Sequence, residues 1–123
     1  MDLIMHDKRM DDLKVAKKYL AKANNAKSAG FDFTLSLKSF QNLMRAKKCG
    51  YTGIHLTEGG GPQPLFSDIS IDRIDNSKGY VKGNVIAVAH GVNQFKGNLE
   101  NPNSVFGFKE CERMLKTIKR KTK

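Results

Sequence analysis

The chain has 123 residues and a formal net charge of +10, with 39% apolar residues and two cysteines. That length suits one domain with an adequate core. No apolar run approaches a membrane span. The first residues lack the basic-then-apolar order of a signal peptide, so the expected location is cytoplasmic, with Cys49 and Cys111 as reduced thiols. Charge is unevenly placed. Residues 1–48 hold eleven Lys and Arg against five acids, residues 49–98 four against four, and residues 99–123 seven against three. A basic surplus in the flanks points to a polyanion partner, because neutralised phosphates release counterions.

Asp7 to Ala29 reads as a helix, with Leu13, Ala16, Leu20 and Ala23 as one apolar stripe and Tyr19 beside it. Lys17 and Lys18 lie off that stripe. Gly30 is a natural stop. Thr34 or Ser36 can cap a second helix running to about Lys48, with Leu37, Phe40, Leu43 and Met44 buried and Lys47 and Lys48 at its carboxyl end. Cys49 to Gly53 is a tight turn into a short strand, Ile54 to Leu56. The glycine- and proline-rich stretch from Thr57 to Ser67 is a loop. Ile69 to Ile74 and Asn84 to Ala89 read as strands, and a helix from about His90 to Asn98 follows. After Pro102, Asn103 or Ser104 caps a last helix with the stripe Phe108, Cys111, Leu115 and Ile118. Tyr80 and Phe95 are expected in the core.

The informative stretch is Ser70-Ile71-Asp72-Arg73-Ile74-Asp75, followed by Gly79-Tyr80, Gly83-Asn84-Val85, Asn93 and Lys96. It places oxygen-bearing side chains at three corners of a strand–turn–strand–helix unit. Such a unit can hold a hard divalent cation against a phosphate. Taken alone, Asp72 and Asp75 also suit Asx capping of a turn.

These residues, with Cys49-Gly50-Tyr51-Thr52-Gly53 upstream, resemble the HNH (His-Me finger, ββα-metal) endonucleases, and within them the phage-type proteins with an Asp-Arg-Ile-Asp core. The likeness covers about residues 49–97. It implies an α+β fold in one domain. A ββα-metal core over residues 49–98 would lie between a helical basic flank, 1–48, and a basic carboxyl-terminal helix, 99–123. It implies a DNA endonuclease, nicking if monomeric, using Mg2+ or Mn2+ held by Asp72 and Asn93, with Asn84 as a structural asparagine. The family's general-base histidine falls on Arg73. A guanidinium stays protonated and cannot take a proton from water, although it could clamp a phosphate. His90, Asp75 or the more distant His55 would then supply the base. The alternative is a catalytically inactive HNH-fold factor binding DNA or a protein of the host's DNA-processing machinery.

Relatives of this kind that carry zinc place cysteine pairs at positions matching Cys49 and Thr52, and Ala89 and Val92. Three of those four cysteines are absent, so no structural zinc is expected. Val92 and Tyr51 are expected to pack in its place. DNA would be held through its phosphates with low sequence specificity by Lys78, Lys82 and Lys96 in the core and by Lys17, Lys18, Lys47, Lys48, Lys116, Lys119 and Arg120 in the flanks. No membrane partner is expected.

Overall fold

The computed structural model describes residues 11–123. The start of the first expected helix, before residue 11, lies outside them. The fold is α+β, with four helices and one two-stranded antiparallel sheet. α1 is Asp12–Ser28, α2 Leu37–Met44, β1 Ile69–Arg73, β2 Val85–Ala89, α3 His90–Glu100 and α4 Phe108–Lys121.

β1 and β2 pair from Ile69 opposite Ala89 to Arg73 opposite Val85. Side chains alternate across a strand, so residues 69, 71, 85 and 87 share one face. Ile71 and Ala87 there join Val15, Phe40 and Met44 in the main core, flanked by Ile69 and Val85. The other face carries Ser70, Asp72, Ile86 and Val88. Beneath α3, Val88 packs with Cys49 and Ala89, and Ile86 and Val92 close over them. The sheet thus lies between α1 and α2 on one side and α3 on the other.

α1 is capped by Asp11, whose carboxylate accepts from the Lys14 N–H at 2.9 Å. Its buried line is not the expected one. Leu13 and Leu20 are 65% and 61% exposed, whereas Val15 and Ala26 are buried. Tyr19 decides the rotation. Its hydroxyl donates to the Leu35 carbonyl at 2.6 Å, and its ring meets Phe33 and Phe40 edge to face. These contacts turn the helix toward the Val15–Tyr19–Ala26 line and leave the leucines outside. α2 starts at its expected cap, Ser36, but ends at Met44, so Lys47 and Lys48 follow the helix rather than close it. The short expected strand at 54–56 forms only a bridge between Lys48 and His55.

Asp68 organises the loop before β1. Its carboxylate accepts from Thr57 Oγ1 at 2.6 Å and the Leu65 N–H at 2.9 Å. α4 starts after Gly107, whose N–H donates to Glu110 Oε1 at 2.9 Å, and not after the expected Asn103 or Ser104. Of its predicted stripe only Cys111 is buried, while Phe108, Leu115 and Ile118 stay exposed. Phe95, expected in the core, is also exposed, whereas Tyr80 packs against the main core beside Phe33.

Two outcomes test this packing. Phe40→Ala should cost about 3–5 kcal/mol in denaturant unfolding, while Leu13→Ala should stay within about 0.5 kcal/mol of wild type. The hydrogen bonds to Asp68 hold its carboxyl below the usual carboxylate range. Their stabilisation is complete above the unfolded value of about 3.9 and fades as pH falls through the lower folded one. Amide exchange in residues 57–68 should accelerate there first, and Asp68→Asn should remove that acid dependence.

Candidate active-site groove

The motif residues meet where β1 ends beside α3. An open groove of about 490 Å³ runs between α1 and α3, lined by Lys22, Asp72, Arg73, Asn93 and Glu100 among others. Asp72 is 8% exposed. Its Oδ2 accepts from the Tyr51 hydroxyl at 2.9 Å and lies 3.1 Å from Lys96 Nζ. Burial, and then the bond to Asp72, raise the Tyr51 phenol well above its ordinary value, which keeps it a donor. Asn93 donates Nδ2 to Ser70 Oγ at 2.9 Å. Ser70 precedes Asp72 by two residues, so both face α3. The motif therefore brings the strand-end carboxylate and the helix amide to one groove.

Arg73 belongs to the other face. Its guanidinium stacks 3.6 Å from the Phe31 ring centre, with Tyr80 at 5.5 Å. Nη1 donates to the carbonyls of Asn76 and Lys78 at 2.6 and 2.9 Å. The planar, permanently charged fork serves here as a staple for the turn after β1. Asn84 completes that staple. Its Oδ1 accepts from the Asp75 N–H at 2.8 Å, and its Nδ2 donates to the carbonyls of Asp75 and Gly79 at 3.1 and 2.9 Å. Gly79 passes so close to the Asp32 backbone that a Cβ there would collide with it. That contact docks the turn on the segment beside Phe31.

The three candidate bases fare differently. Asp75 caps the turn, accepting from the Ser77 N–H and hydroxyl, which hold its carboxyl low. His90 is half-buried at the start of α3, near Asp68, and does not line the groove. His55 sits on its bridge with Lys48. None of the three lies among the groove residues.

The lysines also divide. Lys78 is within 4.0 Å of Asp75, and Lys116 pairs loosely with Glu112 at 3.9 Å on exposed α4. Lys48 and Lys82 line a separate hollow between α2 and β2. Lys47, Lys119 and Arg120 are exposed, away from the groove, as is Lys17. Lys18 and Lys22, one helical turn apart, line a second groove along Ser70 and Ile71, and Lys22 continues into the Asp72 groove. Lys22, Phe31 and Glu100 carry no role in the sequence reading, and Tyr51, expected to pack in the zinc's place, is instead 41% exposed and donates to Asp72. The signals for two of them were present: Lys22 lies four residues after Lys18, and Glu100 lies seven after Asn93 on the same helix face.

Among the described residues no three His, Cys, Asp or Glu side chains converge on one point. A cation held here would draw on the carboxylates of Asp72 and Glu100 and on amide or backbone oxygen. Such all-oxygen donors suit Mg2+ or Mn2+. At the other end of the unit, Cys49 is buried against Val88 and Ala89, with Val92 packed on them. The Cys49 thiol is pulled two ways. Burial raises its pKa, but the Thr52 hydroxyl and nearby backbone N–H groups outweigh it and leave it lowered.

No protein-family model matches the chain, and no solved structure does. It is similar to an uncharacterized 29.0 kDa protein from the dda–modA intergenic region of Enterobacteria phage T4, 35% identical over 74 residues. That match covers 60% of this chain and 28% of the phage protein. No described helix is long and apolar enough to cross a membrane.

The three hydrogen bonds of buried Asn84 have no substitute nearby. Asn84→Ala should cost about 2–4 kcal/mol, from buried groups left without partners, and should loosen residues 74–84 in amide exchange. Asn84→Ala with an unchanged unfolding midpoint would remove this side chain from its structural role.

Proposed function

We propose that the chain is a metal-dependent DNA endonuclease of the HNH type, built on a ββα-metal unit and of phage origin. The observation that carries this reading is the meeting of Asp72 and Asn93 in one groove, at the end of a strand–turn–strand–helix succession. Two further features support it. Asn84 fixes the turn in the role the resemblance implies. Three of the four positions where zinc-binding relatives carry cysteines also come together, with Cys49, Ala89 and Val92 in one apolar cluster. The phage relative agrees with the source.

In this reading Asp72 and Asn93 hold Mg2+ or Mn2+, and the metal supplies Lewis-acid polarisation of a phosphate. Lys18 and Lys22 track the DNA backbone into the groove. Tyr51 orients the Asp72 carboxylate. Arg73 holds the turn through Nη1 and also lines the groove, so its positive charge meets a phosphate there from a fixed position rather than as a free clamp.

A second reading is a catalytically inactive fold that binds DNA or a host DNA-processing protein. The specific observation favouring it is that Arg73 stands where the family's base would and ties its Nη1 to the turn, with none of the other candidate bases lining the groove. Supercoiled plasmid separates the two. The endonuclease should convert it to the nicked form with Mn2+ or Mg2+ and not without a divalent cation, and Asp72→Asn should lower the rate at least about 100-fold. Wild type that binds the plasmid and leaves it supercoiled would establish the second reading. Gain of nicking by Arg73→His would then identify the missing base as the cause.

A further inference from the structure

Lys96 is the one lysine of the unit drawn inside. Its side chain is 13% exposed, and its Nζ lies 2.7 Å from Glu100 Oε2, 3.1 Å from Asp72 Oδ2 and 3.1 Å from the Arg73 carbonyl oxygen. Three oxygens from β1 and α3 therefore face one cationic centre. Two are carboxylates, so the ammonium leaves one negative charge uncompensated. Burial opposes the charge on Lys96, but Glu100 and Asp72 outweigh it and hold its proton more firmly than in a free lysine.

An ammonium and a hard divalent cation seek the same donors, and Asp72 Oδ2 already receives both the Tyr51 hydroxyl and the Lys96 ammonium, which leaves it no lone pair for a metal. The lysine stem is long and flexible. The groove beside it is open, since a Cβ at Gly97 would meet nothing within 4 Å. We propose that Lys96 is an internal cation occupying the cation position of the site, that Glu100 belongs with Asp72 to its ligand set, and that Lys96 keeps a divalent cation out in the absence of nucleic acid. The proposal rests on the reading of Asp72 as a metal ligand. Glu100 acquires a role that the motif alone does not give it, and Lys96 becomes a positioning residue rather than a phosphate contact.

The test is Mn2+ binding to the 123-residue chain without nucleic acid. It is read by the electron paramagnetic resonance signal of free Mn2+ and by the thermal midpoint with and without Mn2+. Lys96→Met should bind Mn2+ at least about tenfold more tightly than wild type, and Mn2+ should raise the midpoint of the variant and not of wild type. Adding Glu100→Gln to Lys96→Met should remove most of the gain. Lys96→Gln, which keeps a hydrogen-bond donor without the charge, should behave as Lys96→Met and guards against a folding defect. A variant that folds only when Mn2+ is present gives the same answer. If wild type binds Mn2+ as tightly as Lys96→Met, and Asp72→Asn abolishes that binding, the internal-cation idea is wrong and the metal site stands. If no folded variant binds Mn2+, both fail.

Discussion

An ammonium withdrawn from water must find its compensation inside the protein, and Lys96 finds it from two elements at once. Asp72 and the Arg73 carbonyl come from β1, and Glu100 from the far end of α3. The bond therefore fixes how far α3 lies across the sheet and where its last turn ends. Removing one partner of such a buried set generally costs about 3–5 kcal/mol, because the others are left charged and dry. The exposed pair of Lys116 and Glu112 has no comparable weight. The position of Asn93 over Ser70, and with it the groove, follows from this placement of α3.

The sheet and the start of α3 were legible in the sequence because β-branched runs, turn glycines and Asn84 all point the same way. Arg73 shows how the motif could be read further. It alternates with Ile71, a core residue, and so had to leave Asp72's face; strand periodicity alone carried that information. What no periodicity carried was its partner, since Phe31 is distant in sequence and reaches Arg73 only through the docking of Gly79 on Asp32. The first helix forms as expected, but its buried stripe differs for a related reason. Two stripes of similar spacing compete along it, and the winner is decided by the Tyr19 hydroxyl and two aromatic rings from elsewhere. The meeting of Asp72 and Asn93 in one groove was legible in the order of strand and helix, and the ion pair on Asp72 was not.

Arg73, Asn84 and Asp75 all act on one short turn, and each makes at least one hydrogen bond to that turn's backbone. A segment held by so many directed bonds has little freedom to follow a ligand. The groove is thus rigid on its strand side, and on the proposed reading any adjustment to a bound polyanion falls to Lys18 and Lys22 of α1.

The last helix has a different consequence. Phe108, Leu115 and Ile118 stand exposed on the same helix as Lys116, Lys119 and Arg120. At low ionic strength the net charge of +10 keeps copies of the chain apart. Added salt shortens the range of that repulsion while leaving the apolar side chains as attractive as before. On the proposed reading, the colloidal stability of the protein and its grip on DNA therefore respond to salt together: the concentration that loosens phosphate contacts also permits the helices of neighbouring molecules to meet.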